Sequence, residues 1–93
     1  MSIKRITEFH AQESKDEQLY TLLQSIMPYI RSSEGCVSCE LLKCLDDPLK
    51  FVVLEEWDVI ASHKKSVENF PAEDMQAAMS LIASAPVGAY YQR

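Results

Sequence analysis

Two runs with strand character, residues 36–44 and 50–57, are separated only by Leu45-Asp46-Asp47-Pro48-Leu49. A connection that short cannot carry a crossover, so the two runs must pair antiparallel as a hairpin. Asp46, Asp47 and Pro48 are turn formers, which supports that boundary. The hairpin constrains everything around it.

Upstream, residues 3–11 mix β-branched and aromatic residues with polar ones and lack a helical period, so they predict a first strand. Leu19, Leu22, Leu23, Ile26, Met27 and Ile30 then recur at helical spacing and form one apolar stripe. Ser14-Lys15-Asp16-Glu17 has the form of a capping box, in which Ser14 caps an amide and Glu17 reaches back. Pro28 predicts a kink near the end of this helix. Ser33-Glu34-Gly35 closes it, with Gly35 suited to a left-handed stop.

Downstream, Asp58 predicts the N-cap of a second helical stretch over 59–68. Pro71 suits the first turn of a third, over 72–84. Met75, Ala78, Met79 and Ile82 fall on one side of it. Residues 86–92 predict the last strand. The order is β-α-β-β-α-β with the second helical unit broken in two. This is an α+β chain of the ferredoxin-like type with an antiparallel sheet.

The 93 residues predict a single domain spanning 1–93. A chain of this size buries only about 60 to 65% of its unfolded surface. The helices cover one face of the sheet. Leu41 and Leu42, like Val53 and Leu54, put apolar groups on both faces of the hairpin. The second face therefore predicts a homodimer.

The net charge is −5, with nine basic residues scattered among fourteen acidic ones. A phosphate backbone needs clustered Lys and Arg, and the only adjacent basic pairs are Lys4-Arg5 and Lys64-Lys65, far apart in the chain, so nucleic acid is a poor candidate partner and none is expected. No stretch approaches the ~18 apolar residues of a membrane span. Met1-Ser2-Ile3-Lys4-Arg5 runs into strand residues without an apolar leader, so the cytoplasm is the expected location.

Cys36 and Cys39 form a C-x-x-C, but residues an odd number apart on a strand face opposite ways. With no second such pair and no nearby His, the three cysteines read as structural thiols, and no metal site is expected. No Gly-rich phosphate loop, paired catalytic carboxylates or Ser-His-Asp order occurs either.

Four blocks carry a family resemblance. They are Glu8-Phe9-His10-Ala11, then Ser33-Glu34-Gly35-Cys36-Val37-Ser38-Cys39-Glu40-Leu41, then Asp46-Asp47-Pro48 through Glu55-Glu56-Trp57, and Ala61-Ser62-His63-Lys64. In order and separation they resemble the antibiotic biosynthesis monooxygenase domain over nearly the whole chain. The resemblance implies a dimeric α+β barrel with a pocket between sheet and helices. Family members include cofactor-independent oxygenases of quinols and polycyclic phenols, haem-degrading enzymes and an isomerase of a phosphorylated signalling sugar. The family often has Tyr where this chain has Cys39, and His where it has Asn69, directly before Phe70. Haem-degrading members use an Asn on the first strand and a Trp on the second helix, and neither is found here.

His63 is the leading catalytic candidate. An imidazole with a pKa near 6.5 takes a phenolic proton at neutral pH, although a surface helix histidine is the plainer reading. Trp57 and Glu55 share one face of their strand. Trp57 either stacks on a flat aromatic substrate or packs the core. Glu55 either accepts a hydrogen bond from a substrate hydroxyl or forms an interface ion pair. Asn69 offers an amide to an oxygen species, or simply ends a helix. His10 either lines the pocket or faces water. Phe70 and one of Tyr90 and Tyr91, taken as Tyr90, complete the candidate substrate-binding set.

Together these readings predict a cofactor-independent monooxygenase acting on a quinol or related electron-rich phenol, with dioxygen as second substrate. An isomerase or acid-base enzyme on a small phosphorylated or oxygenated metabolite, with Lys64 meeting the phosphate, is the first alternative. A non-catalytic small-molecule-binding or stress-response dimer is the other.

Overall fold

The structure, a computed structural model, describes residues 2–93. Its elements are β1 (Ile3–His10), α1 (Asp16–Ser32), β2 (Cys36–Lys43), β3 (Lys50–Trp57), α2 (Ile60–Glu68), α3 (Ala72–Met79) and β4 (Val87–Tyr91). The strands form one antiparallel sheet in the order β2-β3-β1-β4. Three helices join them in a β-α-β-β-α-α-β sequence, an α+β ferredoxin-like fold. The shortest dimension is 19 Å, room for one sheet under one helix layer and no more.

Alternation on β3 sorts the two faces. Phe51, Val53, Glu55 and Trp57 are buried under the helices, while Lys50, Val52, Leu54 and Glu56 lie on the other side. The α1 stripe supplies the opposing layer through Leu19, Leu23 and Met27. Leu19 and Leu23 pack with Phe51, Ala11 and Ile82, and Met27 packs with Cys39 and Val53. Each of the Leu, Ile, Val, Phe and Met side chains among these stabilises by about 1.5 to 3 kcal/mol on full burial.

Several boundaries differ from the sequence expectation, each for a local reason. Ser14 does not cap α1. It stands at φ 68, the N-cap position is Lys15, and no side chain caps the helix. The Lys15 amide donates instead to Gln12 O at 2.9 Å, in a tight turn that occupies Ser14's backbone. Helix α1 runs through Pro28 to Ser32.

Gly35 does adopt the left-handed conformation, at φ 89. A Cβ there would strike Asp58 and Ser62, so glycine is required on both counts. Asp58 does not cap α2: the helix starts at Ile60 with Val59 at the N-cap position, and the Asp58 carboxylate accepts from the Val59 amide at 2.7 Å, one residue too early. Helix α3 ends at Met79, and Ile82 instead makes a lone bridge with Ala11.

The cysteine parity also changes. A bulge between Cys36 and Ser38 inserts one extra residue, so Cys36 opposes Trp57 while Cys39 opposes Glu55. Both therefore lie on the helix-covered face rather than facing apart. All three thiols are free. Burial, then the nearby Glu55 charge, pushes the Cys39 thiol up to about 12, which removes it as a nucleophile.

Candidate functional site

One transverse row of side chains crosses all four strands beneath the helices. Cys39 pairs with Glu55, Glu55 with Arg5, and Arg5 with Tyr90. The row arises because all four residues share the core-facing parity of their strands. Its two central members, Glu55 and Arg5, line a cavity of about 340 Å³ between sheet and helices, while Cys39 and Tyr90 flank them outside its lining. Arg5, Glu55, His63 and Tyr29 are the cavity's ionisable lining residues. Phe9, Leu23, Ile26 and Phe70 make much of the apolar wall, and α3 closes it with Met75 and Met79.

His63 reaches this cavity because α2 turns His63 and Ser66, three residues apart, to its buried side. Only 9% of His63 is exposed. Its Nδ1 and the Tyr90 hydroxyl share a hydrogen bond of 2.7 Å. The ring stands edge-on to Trp57 at 5.6 Å and to Tyr90 at 5.4 Å. Burial, aided by the Arg5 charge, lowers its pKa to about 4, so at neutral pH the imidazole is uncharged.

Glu55 is 6% exposed and receives a hydrogen bond of 2.9 Å from the Trp57 indole, Nε1 to Oε1. Burial raises its pKa, against the pull of that bond and of Arg5. Trp57 itself is fully buried and does not line the cavity, so it holds Glu55 and abuts His63 rather than offering a stacking surface. Phe70 lines the cavity and meets Tyr29 edge-on at 5.3 Å.

Two candidates lie elsewhere. His10 has the opposite parity to Phe9 and opposes Lys50, so it sits on the far side of the sheet from the cavity. Asn69 ends α2 and lines a separate polar cleft of about 270 Å³ with Ser33, Ser62 and Lys65. Tyr29 and Ser66 stand between that cleft and the cavity, lining both. Tyr90, not Tyr91, faces the helices, which its contact with His63 requires. Lys64 is exposed and lines neither space. Among the described residues no cluster of His, Cys, Asp and Glu could hold a metal ion.

Arg5 was not singled out from the sequence. Its signal was visible, since it shares parity with Ile3 and Phe9 and so belongs to the core-facing side of a strand. A charged residue at such a position is exceptional.

The chain's relatives fit this architecture. A conserved protein from Methanosarcina mazei Go1 superposes with a TM-score of 0.90 at 17% identity, over 100% of this chain and 93% of its own. A protein from Shewanella oneidensis gives 0.88 at 23% identity, over 99% and 90%. One from Nitrosomonas europaea, provisionally named an antibiotic biosynthesis monooxygenase, gives 0.91 at 16%, over 99% and 89%. At such identities these likenesses speak for the fold alone. No curated protein matches the sequence. The sequence profile described as antibiotic biosynthesis monooxygenase matches residues 2–80, and the chain belongs to that family.

Proposed function

We propose that the protein is a cofactor-independent monooxygenase that oxidises a quinol or related electron-rich phenol in the cavity between sheet and helices, with dioxygen as co-substrate. The observation that carries this reading is His63, a buried and uncharged imidazole lining an otherwise largely apolar cavity. The Tyr90 hydroxyl fixes the ring through Nδ1. When Nδ1 carries the proton and donates it to that hydroxyl, the Nε2 lone pair is free to act as base.

The phenolic proton passes to Nε2. The phenolate passes one electron to dioxygen, and the resulting substrate radical and superoxide join through a new C–O bond. The imidazolium returns its proton to the peroxide, and loss of water from that hydroperoxide, which breaks the O–O bond and the C–H bond of the same carbon, leaves a carbonyl and a neutral histidine. One oxygen atom stays in the product, the other departs as water, and the substrate supplies the electrons. An apolar wall suits a flat aromatic ring and excludes competing water.

We further propose that the working form is a homodimer joined through the open face of the sheet. That face carries the rows Glu40–Leu54–Ile6–Ala89 and Leu42–Val52–Glu8–Val87. Leu42 is 45% exposed and Val87 65%. The ion pair Lys4–Glu56 lies beside the apolar residues, and Glu8, which interrupts the second row, is neutralised by its ion pair with Lys50.

Oxygen uptake with a panel of hydroquinones, on enzyme stripped of metal, tests the reaction. Turnover by the wild type and a loss of about 10²- to 10³-fold in His63→Ala are expected for removal of a general base. No uptake by the wild type, or equal rates in the variant, refutes it.

A further inference from the structure

We propose that the ligand of the cavity is a monoanion, an apolar or aromatic body bearing one ionised oxygen group, and that this group seats on the Arg5 guanidinium. The proposal rests on reading the cavity as the ligand site.

Three observations converge on Arg5. First, no ion pair engages its charge among the described residues. It pairs across strands with Glu55, and both side chains line the cavity, yet no ion pair joins them among the described residues. The Glu55 carboxylate is turned instead to the Trp57 indole. The Arg5 Nε is buried without a hydrogen-bond partner. The residue as a whole is half-buried, but a buried N–H in that state is costly unless something else completes it.

Second, the strand beside it is shaped for it. The Arg5 guanidinium lies 4.7 Å from the centroid of the Tyr90 ring. A Cβ on Gly88 would collide with the Arg5 guanidinium nitrogens. Glycine at that position gives the side chain room to lie along β4 rather than toward Glu55. Third, the neighbours favour one negative charge and no more. No lysine and no second arginine lines the cavity, and Glu55 stands on the same floor, so a phosphate dianion meets too little positive charge.

The chemistry of the proposed reaction fits the same seat. A phenol of pKa about 10 does not readily give its proton to an imidazole whose conjugate acid has a pKa of about 4, as His63 does. A cation that meets the developing phenolate lowers that barrier without itself exchanging a proton.

Titration calorimetry with 2-naphthoate and its neutral counterpart 2-naphthamide tests the assignment. The wild type is expected to bind the carboxylate at least tenfold more tightly. Arg5→Met is expected to abolish that preference while still binding the amide. Gly88→Ala, which keeps the charge but drives it off its seat, is expected to reduce the preference. Should Arg5→Met fail to fold, as judged by circular dichroism, Gly88→Ala and Arg5→Lys decide the matter. Equal binding of the two probes by the wild type, or an undiminished preference in the variants, overturns the anion seat and leaves the cavity reading standing. Binding of neither probe overturns both.

Discussion

Trp57 and Glu55, two residues apart on the same strand, are joined through their side chains: the indole Nε1 donates to the carboxylate Oε1 at 2.9 Å. Same-face neighbours on a strand lie close enough for this, and both are buried. The bond satisfies a buried indole N–H and anchors a buried acid at the cavity floor. It also leaves Arg5 without the cross-strand partner that its register offers.

Removing the indole should therefore cost more than lost contact area. Trp57→Phe is expected to destabilise by about 2 to 3 kcal/mol, from a partial cavity plus an unsatisfied carboxyl. In a Glu55→Met background, where no acceptor remains to be orphaned, the same substitution should cost about 1 kcal/mol less. Urea unfolding of the four proteins measures this coupling. Equal costs in both backgrounds would show that the bond contributes nothing.

The His63 pKa predicts a stability profile with a definite sign. An unfolded histidine binds a proton near pH 6.5, and the folded one only near pH 4. Between those values the unfolded state holds more protons, so stability falls as pH drops from about 6.5 toward 4. The loss attributable to His63 is at most about 3 kcal/mol. Glu55, with its pKa raised by burial, acts in the opposite direction: its contribution is lost as pH rises past its folded pKa. The difference between wild type and His63→Gln isolates the histidine. That difference should shrink between pH 7 and pH 4, and a constant difference across the window contradicts a buried neutral imidazole.

The open sheet face gives the dimer its test. Leu54 lies between Glu40 and Ile6 in the middle of that face. The wild type is expected to sediment as a dimer at micromolar concentration, and Leu54→Asp as a folded monomer. A charge buried there without a partner costs several kcal/mol of association. A wild type that sediments as a compact monomer removes the homodimer from the functional reading.

Much of this architecture was legible because periodicity reports which side of an element is buried. Phe51, Val53, Glu55 and Trp57 alternate along β3, and Leu19, Leu23 and Met27 recur along α1 as the stripe required. The capping box at Ser14 misled because it is a local pattern, and the chain spends that backbone in a tight turn instead. The cysteine parity misled because one bulged residue, invisible to a rule of strict alternation, inverts everything beyond it. His10 and Asn69 were drawn toward the site by residue type, yet parity places one across the sheet and a helix end places the other in a different cleft.

The sequence by itself determined the order of the elements and the faces they bury, since these follow from side-chain spacing along a single element. Only the tertiary structure decided that Arg5, Glu55 and His63, from three different elements, line one cavity, with Tyr90 of a fourth held against His63 and Arg5 behind them. It also decided that Glu55 turns to Trp57 and leaves Arg5 open. The register of the strands and the docking of α2 on the sheet set those meetings. Both are fixed by the packing of the whole chain at once, which no local run of residues encodes.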